Sequence, residues 1–379
     1  MSAMKDTSLN ATLNCVARWL VGLVFLFSSF VKGVDPMGTT FKIEEYMTAW
    51  SIGSVGFAWA QPLAGVLSVG LICAEFLVGM LLVTNAYRRL SAWGLVVMMI
   101  FFTITTLIDA LTNKVTDCGC FGDAVKLTNW QTFWKNIALD IPTVWIFLTR
   151  NVRYKRRFER DGVVLLASLV VMMIFCLYNI NHEPVIDFRP WKKGNVMMDL
   201  ESNAPVRTYL VYANTATGDT VQIEASQLMQ LMQQPGWKEQ WEWQSSRVVD
   251  PNEIRAEGFS MLDTSGEDHA ADLLPARDGL IVVTIHKLEK LDKRDAVAIR
   301  RAVRLAEENG TEIAILTSAL TDEAFAWLQD NELAAVDCYF ADATAIKTVM
   351  RGNPGFMYIK DATVMDKSRQ PMKLSIDQL

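Results

Sequence analysis

Five apolar stretches, about Cys15–Val31, Pro62–Thr84, Leu90–Leu111, Thr132–Leu148 and Gly162–Ile180, fix what the first half of this chain can become. Each approaches the roughly 20 apolar residues that a helix needs to cross about 30 Å of hydrocarbon. Within a bilayer core only a helix or a closed barrel satisfies its own backbone polar groups, so the sequence predicts an α-helical membrane bundle in contact with lipid. Lysine and arginine collect in the turn Tyr87-Arg88-Arg89 and in the stretch Arg150–Arg160, whereas the loops Lys32–Gln61 and Thr112–Gln131 carry only scattered lysines. By the positive-inside rule the basic side is cytoplasmic. The amino terminus is then expected inside, with the loop after the third span and everything beyond Asn181 outside. In a bacterium this is the inner membrane and the periplasm, where disulfides persist. The stretch Asp35–Gln61, broken by Pro36, Gly38, Gly53 and Gly56, reads as an interfacial segment on the outer face.

Composition divides the chain a second time. Its 36 basic and 42 acidic residues give a net charge of -6, and most of the acids lie beyond Glu183. No cationic run in that soluble half could neutralise a phosphate backbone, which sets nucleic acid aside as a partner. Met1–Asn14 lacks the basic start and small-residue cleavage site of a secretory signal and is expected to stay on the chain.

Between the third and fourth spans stands Asp117-Cys118-Gly119-Cys120-Phe121-Gly122-Asp123. A disulfide wants Cα atoms roughly 4.4 to 6.8 Å apart, a distance that neighbours two positions apart just meet with strain, and strained disulfides are the labile ones. Cys118 and Cys120 therefore read as an exchanging redox pair held at a membrane surface. A permanent disulfide, or two reduced thiols pinning the loop, is the alternative. Asp117 and Asp123 oppose thiolate formation, and Lys114 and Lys126 lie farther off.

Charged groups inside the spans are the other chemical signal. Glu75 lies mid-way along the second, Asp140 within the fourth just before Pro142, and Asp109 near the outer end of the third. An unpaired acid in hydrocarbon costs roughly 2.5 to 3.5 kcal/mol on insertion scales, so each should face the bundle interior and find a partner. Lys32 and Lys135 stand within reach. Glu75 and Asp140 are thus candidates for a proton path or polar pocket coupled to the thiols, or for polar glue between helices. Of the six cysteines, Cys15, Cys73 and Cys176 fall in apolar runs and Cys338 in a strand, where cysteine acts as a small hydrophobe. The three histidines, His182, His269 and His286, show no metal-ligand spacing with acids or thiols, so no metal is expected.

Beyond a connector at Asn181–Gly194, hairpin character appears at Val206–Ala213 and Thr220–Ala225, and strands near Trp241–Val249, without a recognisable fold. The last hundred residues alternate: strand Gly279–His286, helix Lys293–Asn309, strand Thr311–Thr317, helix Thr321–Asn331 capped by Thr321, strand Val336–Phe340 and helix Ala343–Met350. They close with a hairpin, Phe356–Lys360 and Thr363–Lys367. That order implies an α/β sandwich.

The residues FSSFVKGVDP after the first span, AEFLVGMLL in the second and DCGCFGD resemble the DoxX/MauE family of redox-associated membrane proteins, over about Cys15–Leu148. The resemblance implies a four-helix unit in electron or thiol–disulfide traffic at the cytoplasmic membrane, including maturation of methylamine dehydrogenase. The segment GNPGFMYIKDATVMDK is similar to the cis-proline loop and closing hairpin of thioredoxin-like domains, which makes Pro354 that proline and Asn353, Pro354 and Gly355 a partner-binding edge. Where such a domain carries Cys-x-x-Cys, this chain has Lys287-Leu288-Glu289-Lys290. The whole resembles DoxX-type proteins of Bacteroidetes. It divides into a membrane unit at 1–150, a basic loop, fifth helix and connector at 151–194, a periplasmic β-rich segment at 195–275 and a thioredoxin-like domain at 276–379. The expected function is a redox-associated accessory or scaffold that docks a periplasmic protein during maturation. The alternative is a membrane thiol–disulfide oxidoreductase passing electrons from Cys118 and Cys120 to a quinone. No haem or flavin motif is present, and a diffusing quinone is the one cofactor that fits this second role.

Overall fold

A computed structural model of the chain describes residues 8–49, 61–115, 119–151, 158–200, 207–233, 236–249, 253–256 and 258–374. Two compact units divide at Arg189/Pro190.

The first unit is helical: α1 (Ser8–Val34), α2 (Pro36–Ala49), α3 (Ala64–Thr84), α4 (Arg88–Thr112), α5 (Asn129–Leu148) and α6 (Phe158–Asn181). Among the described residues, α1, α3, α4 and α6 are long and apolar enough to cross a membrane. Large apolar side chains such as Leu23, Val66, Ile100 and Ile174 stand exposed on these four helices, as suits hydrocarbon outside rather than water. The fourth predicted span is α5, which carries Lys135, Asp140 and Pro142 and does not reach that hydropathy. It nevertheless runs the length of the bundle. At one end Asn129 donates to the carbonyls of Asp109 and Val115, and at the other Thr149 accepts from Asn14. The segment expected to lie at the interface begins as a helix. Asp35 accepts the Gly38 N–H at 2.9 Å, and Pro36 opens α2 at the position where a missing N–H costs nothing.

Glycine sets the crossing of α1 and α3. A Cβ built on Gly79 of α3 would stand 3.0 Å from the Gly22 carbonyl oxygen of α1, so small residues let the two backbones approach. About one to three turns away along the two helices lie Ser28, Lys32 and Glu75.

The second unit holds two sheets. β1 (Arg207–Asn214), β2 (Thr220–Glu224) and β3 (Trp241–Val249) form an antiparallel sheet in the order β2-β1-β3, which gives a fold to the stretch left unassigned by sequence. Two short helices, α7 (Ala225–Met232) and α8 (Trp237–Gln240), connect β2 to β3, and a third, α9 (Ala270–Leu273), precedes the second sheet. That sheet has the order β6-β5-β4-β7-β8, from β4 (Leu280–Ile285), β5 (Glu312–Thr317), β6 (Asp337–Phe340), β7 (Gly355–Lys360) and β8 (Thr363–Ser368). β4, β5 and β6 run parallel, and the β7–β8 hairpin closes the sheet antiparallel. Central β4 is buried on both faces, which explains its unbroken apolar run: Leu280 and Val282 enter one core, Ile281, Val283 and Ile285 the other.

Helices α10 (Lys293–Asn309), α11 (Thr321–Asp330) and α12 (Ala343–Val349) complete this α/β domain, and the Asn353-Pro354 bond is cis. Asp292 and Asp295 make a reciprocal capping box at the start of α10. At α11 the sequence expectation is corrected. Leu320 holds the cap position without a side-chain bond, and Thr321 is already inside the helix, leaving the early acids Asp322 and Glu323 to favour that end. Asp361 and Ala362 both adopt positive φ, 48° and 54°, as a two-residue hairpin turn of this hand requires.

Candidate redox site

Cys118 and its neighbour Asp117 lie outside the described residues; the loop is described from Gly119 onward. From there it folds back against α1. The Ser28 hydroxyl donates to the Cys120 carbonyl oxygen at 2.8 Å, the Phe121 ring lies 5.4 Å from that of Phe27, and a Cβ on Gly122 would meet Val31 at 3.3 Å. Lys135 of α5 places its ammonium 4.4 Å from the Phe121 ring centroid, a favourable cation–π distance. Cys120 itself is half-buried beside a shallow depression lined by Phe121, Gly122, Val125, Lys126, Leu127 and Thr132.

Behind the loop stands an ion pair. Lys32 Nζ lies 2.6 Å from Glu75 Oε1, and the side chains are only 7% and 2% exposed. The Ser28 hydroxyl reaches the other carboxylate oxygen at 3.3 Å while donating to Cys120, and the Phe102 ring lies 5.3 Å from the Lys32 ammonium. One hydroxyl thus touches both the buried charge pair and the backbone of the cysteine loop. Because Ser28 has a single proton, its bond to the Cys120 carbonyl at 2.8 Å and its longer approach to Glu75 at 3.3 Å compete. Any change of charge on Glu75 is therefore felt at the loop.

The other acids take different partners. Asp140 accepts from the Thr103 hydroxyl at 3.0 Å, and Asp109 from the Tyr46 hydroxyl at 2.6 Å. The geometry brings Glu75 to Cys120 and keeps Asp140 on the α4–α5 seam, bonded to a neutral group. Lys32 finds an acid as its position suggests; Lys135 finds an aromatic ring.

Sequence reading passed over two groupings. Cys73 on α3 and Cys176 on α6 are buried together in one apolar cluster, a pairing no local spacing reveals. Cys15, by contrast, is exposed on α1. In the second unit Asp263, Glu267 and His269 place their ligand atoms within 4.8 Å of one another. This corrects the reading that no histidine is grouped with acids. Glu267 is exposed and Asp263 and His269 are half-buried, and the Ser265 hydroxyl bond, followed by bonds from Glu267 and His269, already holds the Asp263 carboxyl well below the usual carboxylate range.

Asn353 binds the exit of β4. Its carbonyl accepts the N–H groups of His286 and Lys287 at 2.9 and 3.1 Å, and its amide donates to the Lys287 carbonyl at 2.7 Å. Pro354 and Gly355 are buried, and a Cβ on Gly355 would meet Met350 and Thr284 at 2.7 Å. His286 is pushed down to about 4 by burial first, and then by Lys347, Lys287, Lys290 and Arg351. Burial pushes the Cys338 thiol in β6 up to about 11, which keeps it protonated and unreactive at neutral pH.

The helical unit with its loop and buried ion pair has a counterpart among known families. Residues 10–149 match the family described as methylamine utilisation protein MauE. The MauE-matching region covers α1 to α5 and contains Lys32, Glu75 and the cysteine loop, while α6 and the second unit lie beyond it. Among solved structures, the thioredoxin domain of a thiol-disulfide oxidoreductase from Bacteroides vulgatus aligns at TM-score 0.24 with 10% identity, over 30% of this chain and 84% of that one. A thioredoxin-like protein from Bacteroides caccae aligns at TM-score 0.22 with 11% identity, over 86% of this chain and 89% of that one. No curated protein matches the chain.

Proposed function

We propose that this chain is a redox-associated accessory protein of the bacterial inner membrane, in which Cys118 and Cys120 exchange disulfides and the thioredoxin-like unit docks a periplasmic protein during its maturation. The observation that carries this reading is the bond from Ser28 to Cys120, because the same hydroxyl touches a buried Lys32–Glu75 pair. Breaking either half of a buried ion pair leaves an uncompensated charge, so this one belongs where its charges act, and the cysteine loop is what it touches. Proton movement accompanies thiol–disulfide exchange, and Glu75 is the acid placed to answer it through Ser28. Asp140 belongs to the same helical unit as polar support. In this reading α5 crosses the membrane as the fourth of five spans, since it runs end to end beside α4, and the cysteine loop and the second unit share the periplasmic side.

In the docking half, half-buried Asn353 lies at the edge offered to a partner, with Pro354 and Gly355 buried behind it and shaping that edge. The domain lacks its own dithiol at Lys287-Leu288-Glu289-Lys290, so it holds and does not oxidise. A second reading, favoured by the polar Ser28, Lys32 and Glu75 cluster in the apolar bundle, has Cys118 and Cys120 deliver two electrons and two protons to a lipid-soluble quinone, giving the hydroquinone.

Trapping tests both. Cys118→Ser should capture a mixed disulfide through Cys120, and deletion of residues 190–379 should abolish co-purification of a periplasmic partner. No capture by the variant, with all partners kept by the truncated chain, contradicts the accessory reading. Quinone reduction by a dithiol that proceeds equally after both cysteines are replaced contradicts the enzymatic one.

A further inference from the structure

Cys120 sits at the tip of a tight turn. The Gly122 N–H donates to the Gly119 carbonyl at 3.0 Å, which leaves Cys120 and Phe121 as the two central residues. α5 starts beside that turn. Thr128 caps it reciprocally with Gln131, through bonds of 3.2 and 3.0 Å, and Thr132 in its first turn lines the same depression as Cys120. Three positions on, and so on the same face of the helix, Lys135 lays its ammonium 4.4 Å from the centroid of the Phe121 ring. That ring also packs on Phe27 of α1, which fixes it under the ammonium. One element thus brings to the cysteine loop both a cation and the positive end of a 20-residue helix.

The thiolate, not the thiol, is the nucleophile, and a neighbouring lysine or a helix start favours it. Around Cys120 the other charges among the described residues are Lys126 in the wall of the depression, Asp123 within the loop, and Lys32 and Glu75, which pair with each other behind Ser28. Asp123 opposes a second negative charge; Lys135 and the start of α5 favour it. We propose that Lys135 is the positioning residue that holds Cys120 as the thiolate and makes it the attacking sulfur of the loop. This rests on the disulfide-exchange reading and deepens it. The step it serves is attack by the Cys120 thiolate on one sulfur of a protein disulfide. A new sulfur–sulfur bond forms, the old one breaks, and its electron pair leaves on the second sulfur, which takes a proton from water.

The test uses the full-length chain in detergent with Cys118→Ser, so that Cys120 is the sole thiol of the loop. Alkylation by iodoacetamide is followed from about pH 5 to 10 by mass spectrometry of the loop peptide; only the thiolate displaces iodide, so the rate titrates it. Lys135→Met is expected to move the midpoint to higher pH and to slow alkylation at pH 7 about tenfold, and Lys135→Arg to keep the profile. A second measurement needs no helical variant: the rate with anionic iodoacetate relative to neutral iodoacetamide should be higher in the folded protein than after denaturation, because a fixed cation draws the anion. An unmoved midpoint in Lys135→Met, or a folded ratio no higher than the denatured one, overturns the proposal and leaves disulfide exchange standing. A midpoint that moves with Lys135 in a protein that captures no mixed disulfide upholds the role of Lys135 at Cys120 and contradicts the exchange reading instead.

Discussion

Lys32 and Glu75 meet at 2.6 Å in the interior of the helical unit, and Ser28, one turn before Lys32 on the same helix, joins them to the carbonyl of Cys120. The proposed redox loop is therefore held at its backbone by a serine that also reaches a buried charge pair.

Breaking that pair on one side is expected to cost more than removing it whole. Glu75→Leu strands an ammonium among apolar side chains and should destabilise the helical unit by about 3 to 5 kcal/mol, as should Lys32→Met, whereas the double variant should recover most of the loss. Thermal unfolding in one detergent, compared across the three, measures it. Additive losses would show that the two charges act independently.

Acid should loosen the second unit through His286. In an unfolded chain histidine takes its proton near pH 6.5, but folded His286 does so only at about 4. Between those values the unfolded chain holds the extra proton, so stability falls as pH falls, by up to roughly 3 kcal/mol at the lower end of the window. Denaturant titrations from pH 7.5 to 4 should show this slope, and His286→Gln should lack it.

Asn353 is expected to act on stability through the β4 exit. Asn353→Ala leaves two backbone donors and one acceptor without their partner and should cost about 2 to 3 kcal/mol. Asn353→Asp keeps the acceptor for His286 and Lys287 and loses only the donor to the Lys287 carbonyl, so its loss should be smaller. Denaturant unfolding of the full-length variants ranks them.

Thiol labelling should sort the cysteines by burial. Cys338, at about 11, and the buried Cys73 and Cys176 should resist a maleimide in the native protein and react after denaturation. Rapid native labelling of Cys338 would show that β6 does not shield it.

Much of this was readable in advance because the bilayer is a severe solvent. Apolar length marked the helices, and the rule that an acid in hydrocarbon must be paired pointed Glu75 toward Lys32. The same rule does not say which partner each acid finds: Asp140 settled for Thr103 and Lys135 for the Phe121 ring. In the second unit, β4 and α10 declared themselves by period, whereas the three-stranded sheet depends on pairing β1 with β3 across two intervening helices. Cys73 with Cys176 stayed hidden for a related reason, since helix packing rather than spacing brings those thiols together. Ser28 gave no sign either. A serine beside a phenylalanine in an apolar run looks like packing until the loop folds onto it.

The most direct measurement is the reduction midpoint of the Cys118 and Cys120 pair, titrated in membranes with glutathione buffers and read by thiol labelling, for the native chain and for Ser28→Ala. A reversible two-electron transition that shifts when the Ser28 hydroxyl is removed is the expected result. A loop whose sulfurs never titrate, or whose midpoint ignores Ser28, would contradict the account.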